Sequence, residues 1–255
     1  MNKNSMFYWW PIVKDLDIPM PKTVLVRHEG AFKGKLSYSP IDGKPDQYFL
    51  DMLEGVKKAA KEIGYPVFIR SDELSNKHDW KDSCYVETED QLYSHICNIL
   101  EFTAMAFGPR FYGIAVREFL ALKWRFTSHW GKMPVAREFR MFVRDGELEC
   151  WHPYWPPSAI LEPSIENWYP VLKEMQTLTQ VELEHVGDVA ETVGKAVGGY
   201  WSVDVCQTKN GEWYMTDMAL GEDSYHWGTC PHAPPHMLEH YGEPDLKTEE
   251  SKDGS

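Results

Sequence analysis

The chain has 255 residues, 43% of them apolar and 14% aromatic, enough to bury a core in one two-lobed unit or two small domains. No run of eighteen apolar residues occurs, and the start MNKNSMFYWWPIVKD lacks the basic-then-apolar order of a secretory leader, so neither a membrane span nor export is expected. A net charge of −13 repels nucleic acid over most of the surface, and an odd set of five scattered cysteines without a CxxC pair points to a reduced, cytoplasmic setting.

In chain order, Thr23–Arg27 (TVLVR) reads as a strand, followed by a loop from His28 to Pro45 punctuated by glycine and proline. Asp46 is placed to cap a helix over Gln47–Ile63, with Gly64 as its stop. Val67–Arg70 is a short buried strand. Thr88–Gln91 is a capping box for a helix reaching about Met105. Ile114–Leu120 is another strand. Phe139–Val143 and Leu148–His152 form a hairpin around Asp145-Gly146. A helical stretch ends at Gly198-Gly199. Tyr200–Gln207 and Trp213–Asp217 form a second hairpin around Asn210-Gly211. Helices mixed with hairpins, rather than strict alternation, predict an α+β fold. The acidic tail from Glu243 onward is expected to be disordered.

The second hairpin carries the sharpest chemical signal. A two-residue Asn-Gly turn places Asp204 opposite Asp217, with Cβ atoms about 4.5–5.5 Å apart. Two carboxylates so placed repel one another unless a cation lies between them, and magnesium takes such ligands. On that reading Asp217→Asn leaves the metal-free chain as stable as before or slightly more so. Two solvated aspartates near a turn are the plain alternative.

Three other segments hold charge where a triphosphate needs it. Val67–Ile69 ends in Arg70, and the polar loop behind it presents Lys77; the alternative is a strand running into a solvated loop. In Glu138–Val143, alternation puts Glu138, Arg140 and Phe142 on one face, so Arg140 requires an anionic partner, either Glu138 or a phosphate. Cys230-Pro-His232 with His236 and His240 offers zinc-like spacing, but its opening is atypical and prolines interrupt it. The glycine-rich, nucleophile-elbow and zincin signatures are absent, against dinucleotide-binding, P-loop, hydrolase and zincin chemistry.

These segments, in this order, resemble the ATP-grasp superfamily. Asp17–Val26 resembles the entry to its smaller lobe, and Lys58–Arg70 that lobe's helix and following strand, with Arg70 where a nucleotide-binding lysine usually stands. Val116–Leu120 resembles the hinge. Glu138-Phe139-Arg140 resembles the phosphate-facing strand, and Val203–Val205 with Trp213–Asp217 the metal-binding hairpin. Two branches look closest: a phage and bacterial clade with arginine at the second-lysine position, and the eukaryotic cell-division-cycle branch that helps assemble translation initiation factor 2.

The resemblance implies two α/β lobes gripping the nucleotide between antiparallel sheets. A small lobe over residues 1–110, a large lobe over 111–242 and a tail over 243–255 are expected. ATP and magnesium are the implied cofactors. The implied nucleotide site comprises Arg70, Lys77, Arg117, Glu118, Phe119, Leu120 and Arg140, with Arg70 and Arg140 acting on the phosphates and Asp204 and Asp217 on the metal. The implied reaction joins a small-molecule or peptide carboxylate to an amine through an acyl phosphate, and Lys123 and Arg125 are candidates for the acid. A kinase-like phosphotransferase and a non-enzymatic assembly chaperone are the alternatives, the latter with Trp151–Pro157 as an exposed surface for a protein partner. The sequence departs from the superfamily in three ways. The loop after Arg70 lacks glycine. Ala219 replaces a usual asparagine, for which Glu222 and Asp223 are candidate substitutes. Little chain precedes the first motif to form a substrate domain.

Overall fold

A computed structural model describes residues 2–34, 43–107 and 111–235. The expected tail, and His236 and His240 with it, lie outside the described residues.

The chain begins with helix α1 (Met6–Val13), whose N-terminus is capped by the Ser5 side chain. Its residues MFYWWPIV are apolar all round and include Pro11, so no helical period stands out in the sequence. Strand β1 (Thr23–Arg27) and the four-residue helix α2 (Glu29–Phe32) follow. In α3 (Gln47–Ile63) the Asp46 carboxylate accepts from the Phe49 amide at 2.8 Å, and Gly64 at φ +97° ends the helix, as expected. Strand β2 (Val67–Ser71) runs one residue past Arg70. The short β3 (Tyr85–Val86) precedes a 3₁₀ turn at Glu89–Gln91, where Thr88 and Gln91 form the expected capping box, and helix α4 (Leu92–Phe107). Strand β4 (Gly113–Glu118) stops two residues short of Leu120.

The first sheet has the order β1-β4-β2-β3. Val67, Ile69, Ile114 and Val116 pack one face against α3 and α4. Period-2 alternation sends Phe68, Arg70 and Arg117 to the other face. Each fully buried aliphatic or aromatic side chain contributes about 1.5–3 kcal/mol, so the apolar face sets the register and the charged face follows from it.

Strands β5 (Trp124–Ser128) and β6 (Met133–Ala136) form a separate hairpin without a strong turn dipeptide. It packs with Trp155, Ile160 and helix α5 (Trp168–Met175) into a small core. Strands β7 (Glu138–Arg144) and β8 (Glu147–Pro153) join through Asp145-Gly146, both at positive φ, as a two-residue turn demands. Helix α6 (Gln180–Val197) starts on a Thr179–Glu182 capping box. Strands β9 (Tyr200–Gln207) and β10 (Trp213–Leu220) complete a second sheet of order β10-β9-β7-β8. One of its faces packs Phe139, Met141, Val203 and Val205 against α6 and α1. The other carries Glu138, Arg140, Ser202 and Asp204. Among the described residues no helix is long and apolar enough to cross a membrane.

Candidate functional site

The polar faces of the two sheets border a cavity of about 390 Å³. Strand β2 and the loop after it bring Arg70, Ser75, Lys77 and Trp80. The end of β4 brings Arg117, Glu118, Phe119 and Leu120. Strands β7, β9 and β10 bring Glu138, Cys206, Thr216 and Asp217. The first sheet's ladder ends at Glu118, so Phe119 and Leu120 run along the cavity wall outside any strand. The Glu118 carboxylate accepts from the Lys22 amide at 3.2 Å.

Asp204 and Asp217 are paired across β9 and β10, as expected. The route to that pairing differs from the sequence reading. The turn is not a two-residue Asn-Gly turn. Thr208 N–H donates to the Glu212 carbonyl at 2.8 Å and Gly211 N–H to the Thr208 carbonyl at 3.0 Å, with Gly211 at φ +89°. This three-residue loop pairs Met215 with Val205 and shifts the register by one. A bulge between Met215 and Asp217 shifts it back, and Ser202 again opposes Ala219. Thr216, the extra residue of the bulge, gives its carbonyl to the Arg117 guanidinium.

The two carboxylates do not face each other unscreened. Arg140 donates to both oxygens of Asp204, at 2.8 and 2.9 Å. Arg70 donates to Asp217 across the cavity. The partner of Arg140 is therefore Asp204, the residue directly beside it on β9, and not Glu138. Glu138 lies 3.5 Å from the Lys77 ammonium, which sits over the Tyr154 ring at 4.4 Å. The expectation that Asp217→Asn relieves repulsion is overturned, because the change leaves Arg70, 4% exposed, without its counter-charge.

Burial and partner charge compete throughout this site. Burial opposes the charge of Arg70, but Asp217 outweighs it and raises the guanidinium pKa. The same contest lowers the Asp217 carboxyl, where Arg70 beats burial. Lys77 is raised against burial by Glu138 and Tyr154. Glu138 is raised by its burial, which Lys77 only partly offsets. Arg117 is pulled down to about 10, first by burial and then by Arg70 nearby. Its Nε donates to Thr23 Oγ1 at 3.0 Å, while its buried Nη2 has no hydrogen-bond partner among the described residues. A buried cation with an unused donor at a cavity wall is suited to an anion.

Several expectations fail here. Arg125 pairs with Glu174 at 3.1 Å on an exposed strand, and neither it nor Lys123 lines the cavity. Glu222 and Asp223 form a 3₁₀ turn outside it, Asp223 accepting from Asn4 Nδ2 at 2.7 Å. Trp151–Pro157 is not an exposed aromatic surface: Trp155 and His152 are buried, and Trp151 packs against the α6 core. His232 lies 4.0 Å from Glu149, and Cys230 gathers with Cys150, His152 and His226 rather than with His232; His236 and His240 of the candidate lie outside the described residues. Arg117, placed in the implied nucleotide site with the hinge, stands as a cationic residue of the cavity wall. Arginine mid-strand on a polar face was the available signal.

The sequence model of an ATP-grasp domain, the third family of its clade, matches residues 60–224. This chain belongs to that family. No curated protein sequence matches it significantly. Among solved structures, the biotin carboxylase domain of Hydrogenobacter thermophilus 2-oxoglutarate carboxylase is similar at a TM-score of 0.50 and 13% identity, over 85% of this chain and 39% of that one. N5-carboxyaminoimidazole synthase from Aspergillus clavatus has a TM-score of 0.46 at 9% identity, over 85% and 44%. A RimK-domain ATP-grasp protein from Sphaerobacter thermophilus has a TM-score of 0.42 at 17% identity, over 85% and 59%. The chain thus spans roughly two fifths to three fifths of the length of these structures. At such identities the likeness is one of fold: helices on antiparallel sheets in the ATP-grasp arrangement.

Proposed function

We propose that this ATP-grasp domain binds Mg-ATP between its two sheets and uses the γ-phosphate to activate a carboxylate for ligation. The observation that carries the proposal is the convergence of Arg70, Lys77, Arg117 and Asp217 around one cavity, whose wall includes Glu118–Leu120; Asp204 is paired with Asp217 on the next strand, and neither it nor Arg140 is part of the lining. The biotin carboxylase domain of similar fold was solved with MgADP and bicarbonate, which fits a nucleotide and a small acid in such a cleft.

The residues present suit these groups. Arg117 has an unsatisfied buried donor for a phosphate oxygen. Asp204 and Asp217 are hard oxygen ligands on adjacent strands, the type magnesium takes alongside phosphate oxygens. When bound, the metal would neutralise phosphate charge and polarise the γ-phosphoryl group. In the unliganded chain Arg70 and Arg140 hold these carboxylates in place. With nucleotide bound, the same guanidiniums could turn part of their donor set to phosphate oxygens, which would leave carboxylate lone pairs for the metal. Lys77, fixed by Glu138 and Tyr154, adds a positive charge on the β2 side. The backbone of Phe119 and Leu120 would hold the adenine edge, and Glu118 the ribose. The chain supplies position and charge and no covalent nucleophile. In the reaction, a substrate carboxylate oxygen bonds to the γ-phosphorus as the bond to ADP breaks. An amine then displaces phosphate from the acyl carbon and loses a proton to solvent. We place the boundary between the lobes between Glu118 and Trp124 in place of the expected 110/111, because β4 belongs to the first sheet, with α1 packed onto the second.

Thermal melts with and without Mg-ATP test the binding. At a hundredfold excess over Kd the expected gain is about 2.7 kcal/mol. An unchanged melt and silent calorimetry at millimolar Mg-ATP exclude the proposal. ADP release that requires both an acid and an amine supports ligation; release without an amine, with a phosphorylated product, points to a kinase.

A further inference from the structure

Four ligand-type side chains outside the nucleotide cavity meet at the far end of the second sheet. Cys150 and His152 lie two residues apart on β8, the edge strand, so they share a face. The segment after β10 folds back over that face and brings His226 and Cys230. The two sulfurs and one nitrogen from each histidine all lie within 4.8 Å of one another. We propose that these residues form a structural zinc site of the Cys₂His₂ type, which fastens the segment after β10 to the sheet beside the Arg140–Asp204 pair.

The separations, none above 4.8 Å, are those a tetrahedral site can close upon. Zinc–nitrogen bonds of about 2.0–2.1 Å and zinc–sulfur bonds of about 2.3 Å imply separations of about 3.3 Å between nitrogens and about 3.8 Å between sulfurs. His152 Nε2 and His226 Nδ1 are 3.3 Å apart. Two thiols and two imidazoles select zinc, because soft and borderline donors in a tetrahedral set disfavour magnesium and calcium. The outer surroundings are built as well. His226 Nε2 lies 2.9 Å from the Tyr200 hydroxyl, the hydrogen bond that fixes a ring with Nδ1 left to bind metal. The Phe142 ring stacks on His226 at 3.7 Å between centroids. Cys230 is set by a turn in which its N–H donates to the Trp227 carbonyl at 2.9 Å. Three of the four residues are buried and Cys150 is half-buried, as in a closed structural site. Because Arg140 pairs with His152 across β7 and β8, the site abuts the strand that holds Asp204.

The protein purified without chelator is assayed for metal by plasma mass spectrometry, and its zinc coordination is read by X-ray absorption. About one zinc per chain is expected, bound to two sulfurs near 2.3 Å and two nitrogens near 2.0 Å. Cys150→Ser and Cys230→Ser should each reduce zinc at least tenfold, and chelation of the wild type should lower its melting temperature, with zinc alone restoring it. Less than about a tenth of an equivalent, even after growth and refolding with added zinc, overturns the site. Equal zinc in wild type and both variants, an oxygen-rich coordination shell, or a Cys150–Cys230 disulfide in non-reducing peptide mapping overturns it too. None of these readouts depends on nucleotide, so the site stands or falls apart from the proposed ligase chemistry.

Discussion

The two arginine–aspartate pairs at the candidate site are alike in chemistry and opposite in origin. Arg140 and Asp204 are direct neighbours on adjacent strands of one sheet, and their bidentate contact is a local consequence of register. Arg70 and Asp217 come from different sheets, 147 positions apart, and meet only when the sheets close on the cavity. The first pair belongs to a sheet that also packs against α6, while the second bridges the two sheets. A ligand that separates or draws together the sheets therefore acts on Arg70–Asp217 first.

Asp217→Asn should produce the largest effect. It leaves the buried Arg70 unpaired, so the unliganded protein should lose about 3–5 kcal/mol, and the stabilisation by Mg-ATP should vanish as well. Melts with and without nucleotide check both. An unliganded protein as stable as wild type would show that the inter-sheet pair contributes nothing. A double change, Arg70→Met with Asp217→Leu, sharpens the point. Replacing both charges by apolar groups should recover most of the stability but none of the nucleotide response.

Asp204→Asn should be milder, about 1–3 kcal/mol, because the Arg140 side chain is 17% exposed and water can screen part of its uncompensated charge, whereas Arg70 is 4% exposed. Urea unfolding of the two aspartate variants side by side tests the ranking, and the comparison fails if Asp204→Asn is the more damaging. Arg117→Leu should change stability little, since the lost hydrogen bonds to Thr23 and the Thr216 carbonyl are offset by removing a buried cation beside Arg70, yet weaken nucleotide binding by about tenfold or more. Calorimetric titration reads this.

The smallest effect concerns a pair away from the cavity. Arg137 hydrogen-bonds the Glu182 carboxylate and holds its pKa at about 2, down from 4.5. A lowered folded pKa stabilises above the unfolded value and loses that contribution as pH falls from about 4.5 toward 2. Glu182→Gln should flatten the acid limb of the stability profile in that window by about 1 kcal/mol, screening included, and leave nucleotide binding unaltered.

The amino-acid sequence by itself determined the capped helices, the strands of the two hairpins, the ATP-grasp character and the place of Arg70 at a strand end. These follow from short-range rules: Asp46 and Thr88 cap because their own side chains reach the next turn, and strand faces follow a period of two. The order of motifs along the chain was legible for the same reason. Helix α1, the β5–β6 hairpin and α5 were missed, since an all-apolar segment containing Pro11 and short strands without a strong turn dipeptide carry little local signal. The tertiary structure alone decided the ion pairing. Which carboxylate neutralises Arg70 depends on which strand lies across the cavity, and Arg140 turned to Asp204 because β9 docks beside β7. It also decided the bulge at Thr216, which corrects a register that the loop had shifted, and the meeting of Cys150 and His152 with His226 and Cys230. Sequence spacing does not encode such meetings, because the energy that brings distant strands together lies in the buried apolar faces, and the polar faces acquire their partners from that packing.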